Sequence, residues 1–254
     1  MSDVGRENID AKFYPEVVAG GFTRFDGTVA FFSRVNALLE PDMVILDLGA
    51  GRGLHTESTS AYRRALTNLK GKVRKVIGLD VDPIVMENPS LDEAFIYDGG
   101  VMPLPDNHVD VIVSDWTFEH IPNPTEFARE IERVLKPGGW LCARTPHLYS
   151  LLVVASSVIP NKRHSGVLTQ VQPGRQERDV FPTCYKLNTR SSLRAFFPPS
   201  SWGHFSYTWS PEPAYHLGNP VIYWLMQVYQ YLKRPILGGE CLFVFLRKAN
   251  KAPG

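Results

Sequence analysis

The sequence has little of several features that would point to particular classes of protein. Its three cysteines, Cys142, Cys184 and Cys241, are odd in number and have no metal or disulfide spacing, which favours a reducing compartment. Its 27 basic and 26 acidic side chains nearly cancel, so no global charge favours nucleic acid. No apolar run reaches the roughly 20 residues that span a bilayer, and the polar residues 1–16 lack a signal-peptide layout. We therefore expect a cytoplasmic protein without a metal site, a membrane span or a nucleic-acid partner.

What the sequence does contain is an alternation of short apolar runs with helical patterns. Strands are expected at 43–48, 73–79, 94–97, 109–114 and 140–145, with late strands at 205–209 and 241–246; helices are expected at 25–40, 61–69, 124–135, from Asn188 to Phe196 and from Asn219-Pro220 onward. Such alternation predicts parallel βαβ units with right-handed crossovers. The predicted fold is a Rossmann-like, seven-stranded α/β sheet, mostly parallel with an antiparallel last strand, and with helices on both faces.

A glycine-rich loop follows the first expected strand. Gly49, Gly51 and Gly53 leave the backbone bare at the carboxyl edge of the sheet, where ligands bind in open α/β folds. The dinucleotide fingerprint also needs glycine at the sixth position, which is Leu54 counted from Gly49 and Thr56 counted from Gly51. The loop is therefore poorly suited to a pyrophosphate. A tight turn without a ligand is the alternative.

Aspartates stand at the same edge of the expected sheet. Asp47 precedes the loop, Asp80 and Asp98 close the second and third strands, and Asp115 closes the fourth. A carboxylate at Asp80 suits ribose hydroxyls, although aspartates at strand ends also cap turns, as Asp82 could do here. Acidic groups beside the loop suit a cationic ligand such as S-adenosylmethionine, which carries an ammonium and a sulfonium.

The motifs, taken in order, resemble those of class I S-adenosylmethionine-dependent methyltransferases, and in particular the type 11 subgroup that includes ubiquinone-biosynthetic and sugar O-methyltransferases. The resemblance covers about residues 43–147. Each motif is weak alone, and together they are specific. The segments that carry it are Val44–Gly53, Gly78–Asp80, Asp98, Pro103–Asp106, Glu119–Pro124 and Arg133–Gly139.

The resemblance implies a role for each of these positions. The amino-acid part of the cofactor would contact Asp47, Gly49, Ala50, Gly51 and Gly53. The ribose would contact Asp80, the adenine Asp98 and Gly99, and the methionine portion Asp115 and Trp116. Val81 is a further expected cofactor contact.

Two histidines are candidates for the chemistry. His120 follows the fourth strand, and a general base there would accelerate transfer to a hydroxyl. Glu119 could orient His120 or raise its pKa, and a structural capping role for His120 is the equal alternative. His147 closes the fifth strand and could be a second base or a substrate ligand.

Other segments bear on the methyl acceptor. Tyr14, Phe22 and Arg24 lie in an aromatic and glycine-rich stretch that could close over the site, with simple packing as the alternative. Arg163 and Arg178 belong to a basic excursion that suits an anionic acceptor, unless it is only a solvated loop.

The apolar stretch 220–232, followed by two basic residues, favours core or dimer packing. Alternatively it forms an interfacial helix with peripheral contact to a lipid-linked acceptor.

We interpret residues 1–254 as one domain. Its parts are an N-terminal lid with helices over 1–42, a cofactor-binding core over 43–147, an acceptor-side insertion over 148–204, and the last strands and helix over 205–254. The expected activity is methyl transfer to a hydroxyl oxygen of a small molecule or saccharide. The alternatives are a non-catalytic S-adenosylmethionine-binding protein and an N- or C-methyltransferase of another small metabolite. Nucleic-acid methyltransferases that act on amino groups usually carry an Asn/Asp-Pro-Pro-aromatic motif after the fourth strand, and the matching segment here, Ser114–Thr117, contains no proline.

Overall fold

The structure of the chain is a computed structural model that describes residues 9–151, 153, 182–214, 216 and 218–250. The basic excursion with Arg163 and Arg178, and most of the apolar segment before it, lie outside these ranges. The chain divides into two compact units. The sheet unit comprises Phe31–Thr145, Thr183–Tyr207 and Leu242–Gly254, and the helix unit comprises Met1–Ala30, Pro146–Pro182 and Thr208–Cys241.

The described strands form a sheet with the order β3-β2-β1-β4-β5-β8-β6, and β7 pairs with β8. They are β1 Val44–Leu48, β2 Lys75–Asp80, β3 Glu93–Ile96, β4 Val109–Asp115, β5 Leu135–Pro146, β6 Trp202–His204, β7 Tyr207–Trp209 and β8 Cys241–Lys248. The pairings β1–β2, β1–β4, β2–β3 and β4–β5 are parallel, and β6 pairs antiparallel with β8. The predicted α/β sheet, mostly parallel with an antiparallel edge, is confirmed.

The central strands are apolar because both of their faces are covered. Ile45, Leu46, Ile77 and Ile112 are completely buried, as expected for parallel strands inside an α/β fold. The described helices are α1 Gly27–Asn36, α2 Ala61–Thr67, α3 Pro124–Val134, α4 Arg190–Phe196 and α5 Pro220–Leu237. The buried face of α3, which includes Ile131, belongs to the same hydrophobic core as β1, β2 and β4.

Several expected boundaries differ from the structure, and the start of β5 differs most. β5 begins at Leu135 rather than at Trp140, because the intervening glycines form a bulge: the register against β4 shifts between Val109 and Val111. Gly138 lies within this bulge at φ 79°. The segment after α3 therefore continues as an irregular strand.

The cap of α4 was also assigned to the wrong residue. Thr189 is the N-cap: its side chain accepts the backbone N–H of Ser192 and forms a capping box with it. Asn188 is instead fully buried and donates a hydrogen bond to Thr145 Oγ1 at 2.8 Å. The expected strand at 205–209 is present in a shorter form as β7, and the additional strand β6 precedes it across a break at residues 205–206, so that the described sheet has eight strands.

In the helix unit, α5 turns polar groups inward. Asn219 caps the helix as predicted, accepting the N–H groups of Val221 and Ile222. Tyr223 is completely buried, and its hydroxyl donates to Asp10 at 2.9 Å. Lys233 is buried too, paired with Glu240 at 2.5 Å.

The outward side of α5 is apolar. Trp224, Tyr231 and Ile236 are 53%, 79% and 81% exposed. The expectation of core packing is therefore wrong for this face, whereas dimer packing and an interfacial role stay predictions. No helix in the described ranges has the length and hydropathy needed to cross a bilayer.

Candidate cofactor and acceptor site

The glycine loop after β1 has a backbone that only glycine adopts easily. Gly49, Gly51 and Gly53 have φ angles of 78°, 47° and 77°, in the left-handed region that costs other residues about 1–2 kcal/mol. Packing adds a second constraint, because a Cβ on Gly49 would lie 2.0 Å from Thr117 Oγ1. The loop is thus fixed both by backbone conformation and by close neighbours.

Asp80, at the end of β2, joins the loop to the neighbouring turn. Its Oδ2 accepts the Gly51 N–H at 2.7 Å and its Oδ1 accepts the Asp82 N–H at 2.9 Å. Asp82, rather than Asp80, caps the short 3₁₀ helix Pro83–Glu87. Each Asp80 oxygen keeps a second lone pair, which is available to a ribose hydroxyl.

Three carboxylates share this edge of the sheet. Burial, together with the negative charges of Asp115 and Asp80, raises the pKa of Asp47 to about 7. A negative charge on Asp47 is therefore repelled by Asp115 and Asp80. An ammonium or sulfonium placed among them would relieve that repulsion.

Arg144 on β5 is a site residue that the sequence reasoning missed. Its guanidinium pairs with Asp115, which lies beside it on β4, and stands 5.1 Å from the ring centroid of Trp116. Trp116 has φ 60° although it carries a side chain, and its ring is 42% exposed. A lone arginine within an otherwise apolar strand was the available signal.

The turn after β3 holds the residues expected near adenine. Asp98 is exposed, and its Oδ1 accepts the Gly100 N–H at 2.9 Å. The hydroxyl of the buried Tyr97 donates to the Gly100 carbonyl at 3.1 Å, and burial raises the Tyr97 pKa to about 12. Gly99, between them, has φ 91°. Val81, which directly follows β2, is 50% exposed.

Two further side chains lie beside the loop, of which Asn88 was not assigned a role from the sequence. The amide of Asn88 donates to the carbonyls of Ala50 and Gly51 at 3.0 and 3.1 Å. His55 follows the loop, and its Nε2 is buried without a hydrogen-bond partner in the described structure. Burial lowers the pKa of His55, while Asp115 opposes this shift, so the imidazole favours its neutral form.

His120 ends the short 3₁₀ helix Phe118–His120 that follows β4. Its backbone N–H donates to the carbonyl of Thr117 at 2.9 Å. Thr117 is the residue that packs against Gly49. His120 is therefore tied through one residue to the glycine loop. The neighbouring Glu119 is buried and accepts a hydrogen bond from Thr145 Oγ1 at 2.8 Å.

The other predicted residues with described positions lie in the helix unit. His147 is buried, and its backbone N–H donates to the Glu240 carbonyl at 2.9 Å. Its ring packs edge-on against Tyr149. Arg24 is exposed and pairs with Glu16 at 2.7 Å. Their roles toward an acceptor stay predictions.

The aromatic members of the expected lid lie in the same unit. The Tyr14 hydroxyl accepts a hydrogen bond from Gln227 at 2.6 Å, and its ring packs against Phe25. Phe22 is partly buried and lies close to Gly20. Among the described residues, no group of three or more His, Cys, Asp or Glu side chains could hold a metal ion.

Residues 46–143 match a family model described as a methyltransferase domain. The chain contains a class I methyltransferase domain. The expected family, the type 11 methyltransferases, and the expected cofactor, S-adenosylmethionine, are confirmed.

Relatives of this domain match part of the chain. A protein described as a probable S-adenosylmethionine-dependent methyltransferase of Mycolicibacterium smegmatis is 38% identical over 81 residues, covering 29% of this chain and 30% of the relative. A malonyl-(acyl-carrier protein) O-methyltransferase of Coxiella burnetii is 29% identical over 134 residues, covering 52% and 42%. The matches thus span less than half the length of these curated relatives.

Solved structures extend the likeness of fold to nearly the whole chain. The crystal structure of an S-adenosylmethionine-dependent methyltransferase from Thermotoga maritima has a TM-score of 0.53 and 15% identity to this chain. The match covers 97% of this chain and 99% of the Thermotoga maritima chain. At this identity the likeness concerns the fold alone.

The residues present fit S-adenosylmethionine. Asp47, Asp80 and Asp115 supply negative charge for a cofactor that carries two positive groups. The bare loop at Gly51 admits a ligand close to the backbone. The buried Nε2 of His55 leaves a polar atom beside the loop that a ligand could satisfy.

Proposed function

We propose that this protein transfers the methyl group of S-adenosylmethionine to an oxygen atom of a small-molecule or saccharide acceptor. The observation that carries the proposal is the arrangement at the ends of β1, β2 and β4. There a glycine loop without the dinucleotide spacing meets the carboxyl of Asp47, whose negative charge is repelled by Asp115 and Asp80. This arrangement suits a cation better than a pyrophosphate.

Each part of the site has a task in this proposal. Asp47 and the backbone from Gly49 to Gly53 bind the amino-acid part of the cofactor, and Asp80 binds the ribose. Asp98 and Gly99 border the adenine, and Trp116 borders the methionine portion. When bound, the cofactor supplies an electrophilic methyl group, and the protein contributes chiefly by orienting the acceptor.

His120 is the proposed general base. It follows β4 directly and connects through Thr117 to the glycine loop. A neutral imidazole there would take the proton of an acceptor hydroxyl as the oxygen attacks. The Coxiella burnetii relative is named an O-methyltransferase, which supports oxygen as the acceptor atom.

The test has two stages. Calorimetry should first show that the wild-type protein binds S-adenosylhomocysteine, and that Asp80→Ala weakens this binding at least about tenfold, the effect of losing about 1.4 kcal/mol. The protein is then supplied with isotope-labelled S-adenosylmethionine and a panel of hydroxyl, amine and carboxylate acceptors, and methylated products are identified by mass spectrometry. Oxygen-linked label is the expected result. Label on nitrogen or carbon would contradict the assignment of oxygen as the acceptor atom. Binding of S-adenosylhomocysteine without any methyl transfer in cell extracts would contradict an enzymatic function.

A further inference from the structure

Asn88, eight residues beyond the end of β2, is a buried amide with every polar group engaged. It is only 6% exposed. Its Nδ2 donates to the carbonyls of Ala50 and Gly51, at 3.0 and 3.1 Å. Its Oδ1 accepts the backbone N–H of Ser90 at 3.0 Å, together with the Ser90 hydroxyl. Asn88 therefore links the cofactor loop to the segment that follows β2.

The orientation of this amide follows from the chemistry of its neighbours. A backbone N–H can only donate, so the Ser90 N–H requires the oxygen of Asn88 on its side. The amide nitrogen must then face the loop, where two carbonyls can only accept. No other orientation of the amide satisfies all four groups.

Asn88 also matches the bare surface of the loop. A Cβ on Gly53 would lie 2.5 Å from Asn88 Oδ1, so the amide occupies the space that this glycine leaves open. Gly51 is held from two directions, because Asp80 accepts its N–H at 2.7 Å while Asn88 binds its carbonyl. The peptide groups on either side of Gly51 are thereby fixed by side chains.

We propose that Asn88 is a positioning residue that sets the loop conformation in which S-adenosylmethionine binds. The inference rests on the proposed function only in taking this loop as the cofactor site. Asn88 makes no contact with the cofactor in this proposal and acts through the carbonyls of Ala50 and Gly51. A side chain that merely stabilised the fold would change the unfolding free energy without a specific change in cofactor affinity.

Asn88→Asp gives the sharpest test, because it preserves shape and replaces the two N–H donors by an oxygen. At about pH 8 the carboxylate would face two carbonyl oxygens, and the Kd for S-adenosylhomocysteine should rise at least about tenfold. Protonation restores one donor, so the ratio of the variant Kd to the wild-type Kd should fall as the pH is lowered to about 6. Taking the ratio removes the pH dependence that both proteins share through Asp47.

Turnover separates positioning from catalysis. With S-adenosylmethionine saturating, the kcat of Asn88→Asp should stay within about threefold of wild type, because the reacting atoms are not touched. Asn68→Asp is the matched control: Asn68 uses its Oδ1 to accept the Lys70 N–H, and aspartate keeps that acceptor. Cofactor affinity should be unchanged in this control.

Several outcomes would overturn the proposal. They are a Kd for Asn88→Asp within about twofold of wild type at about pH 8, or a Kd ratio that does not change with pH. If Asn88→Asp does not fold, as judged by circular dichroism, Ser90→Ala replaces it: loss of the hydroxyl should loosen the amide and raise the Kd about threefold, and an unchanged Kd would refute the idea. Failure of the wild-type protein itself to bind S-adenosylhomocysteine would instead overturn the proposed function.

Discussion

The guanidinium of Arg144 meets the carboxylate of Asp115 at two points, with Nε–Oδ1 and Nη2–Oδ2 distances of 2.6 Å each. The arginine side chain is 7% exposed and the aspartate side chain 29%. Planar two-point pairing of this kind is the strong form of an ion pair. It places a fixed positive charge at the carboxyl ends of β4 and β5, beside the carboxylates of the proposed cofactor site.

Arg144→Met should destabilise the protein by about 3 kcal/mol, because it leaves the shielded carboxylate of Asp115 without its partner. Arg144→Lys keeps the charge and loses one of the two contacts, so its loss should be smaller. Urea unfolding measures both. Lys136→Met is the control, since the Lys136–Asp110 pair at 2.7 Å is more exposed and should contribute less than about 1 kcal/mol. Equal losses of unfolding free energy in the Arg144→Met and Lys136→Met variants would show that the Arg144–Asp115 pair contributes no more to stability than the exposed pair.

Cofactor affinity should depend on pH through Asp47. The pKa of this carboxyl is raised to about 7, first by burial and then by Asp115 and Asp80. Below that pH the group is protonated and neutral, so S-adenosylmethionine should bind more tightly as the pH rises through about 7. Binding below about pH 7 should also release a proton, which calorimetry detects as a dependence on the ionisation heat of the buffer. Asp47→Asn should bind more weakly and show no pH dependence in this range.

The same carboxyl predicts the pH dependence of the cofactor-free protein. The folded state holds the Asp47 proton up to about pH 7, while the unfolded chain releases it near pH 4. The folded state thus binds more protons between these values, and the contribution of Asp47 to stability falls as the pH rises across that window. Relative to wild type, Asp47→Asn should gain stability from about pH 4 to about pH 7. A difference that is constant with pH would contradict the raised pKa.

Gly49→Ala and Gly71→Ala separate backbone strain from loop packing. Both glycines have left-handed φ angles, 78° and 83°. A Cβ on Gly71 meets nothing within 4 Å, whereas on Gly49 it would lie 2.0 Å from Thr117 Oγ1. Gly71→Ala should therefore cost about 1 kcal/mol of stability and leave the Kd for S-adenosylhomocysteine unchanged. Gly49→Ala should abolish measurable binding, and retention of binding would show that the loop tolerates displacement.

His120→Gln tests the proposed general base once an acceptor is identified. The kcat should fall about 10²–10⁴-fold, the usual contribution of a general base, while the Kd for S-adenosylhomocysteine stays the same. His108→Gln is the control, because His108 immediately precedes β4 and lies at the opposite end of that strand from the site. Full activity of His120→Gln would assign His120 to a structural role.

The sequence was sufficient to predict those parts of the site that lie close together along the chain. The loop from Gly49 to Gly53 and the aspartates at strand ends follow from local spacing and from the rule that parallel strands present their carboxyl ends together. Arg144 and Asn88 could not be assigned in this way. Arg144 pairs with a residue 29 positions away, and Asn88 binds the loop across 37 and 38 positions. The first pairing depends on strand register, which apolar periodicity does not specify between buried parallel strands, and the second on how the segment after β2 folds back onto the loop.

The errors in the fold have a similar physical origin. The pattern of α5 is apolar on nearly all sides, so periodicity could not reveal that Tyr223 and Lys233 face inward while Trp224 and Ile236 face outward. The residues Lys136–Gly139 have turn composition, yet the register shift between β4 and β5 absorbs them as a bulge. In both cases tertiary pairing overrides the local preference.

The left-handed backbone of Trp116 has a consequence for selection experiments. A tryptophan at φ 60° carries a conformational cost of about 1–2 kcal/mol that glycine would avoid. In a randomised library screened for thermal tolerance alone, glycine and asparagine should be enriched at this position. Screening the same library for methylated product should return an aromatic residue. Thermal stability and methyl transfer thus favour different residues at this position. Comparing the residues enriched in each screen would measure how strongly the two properties are opposed.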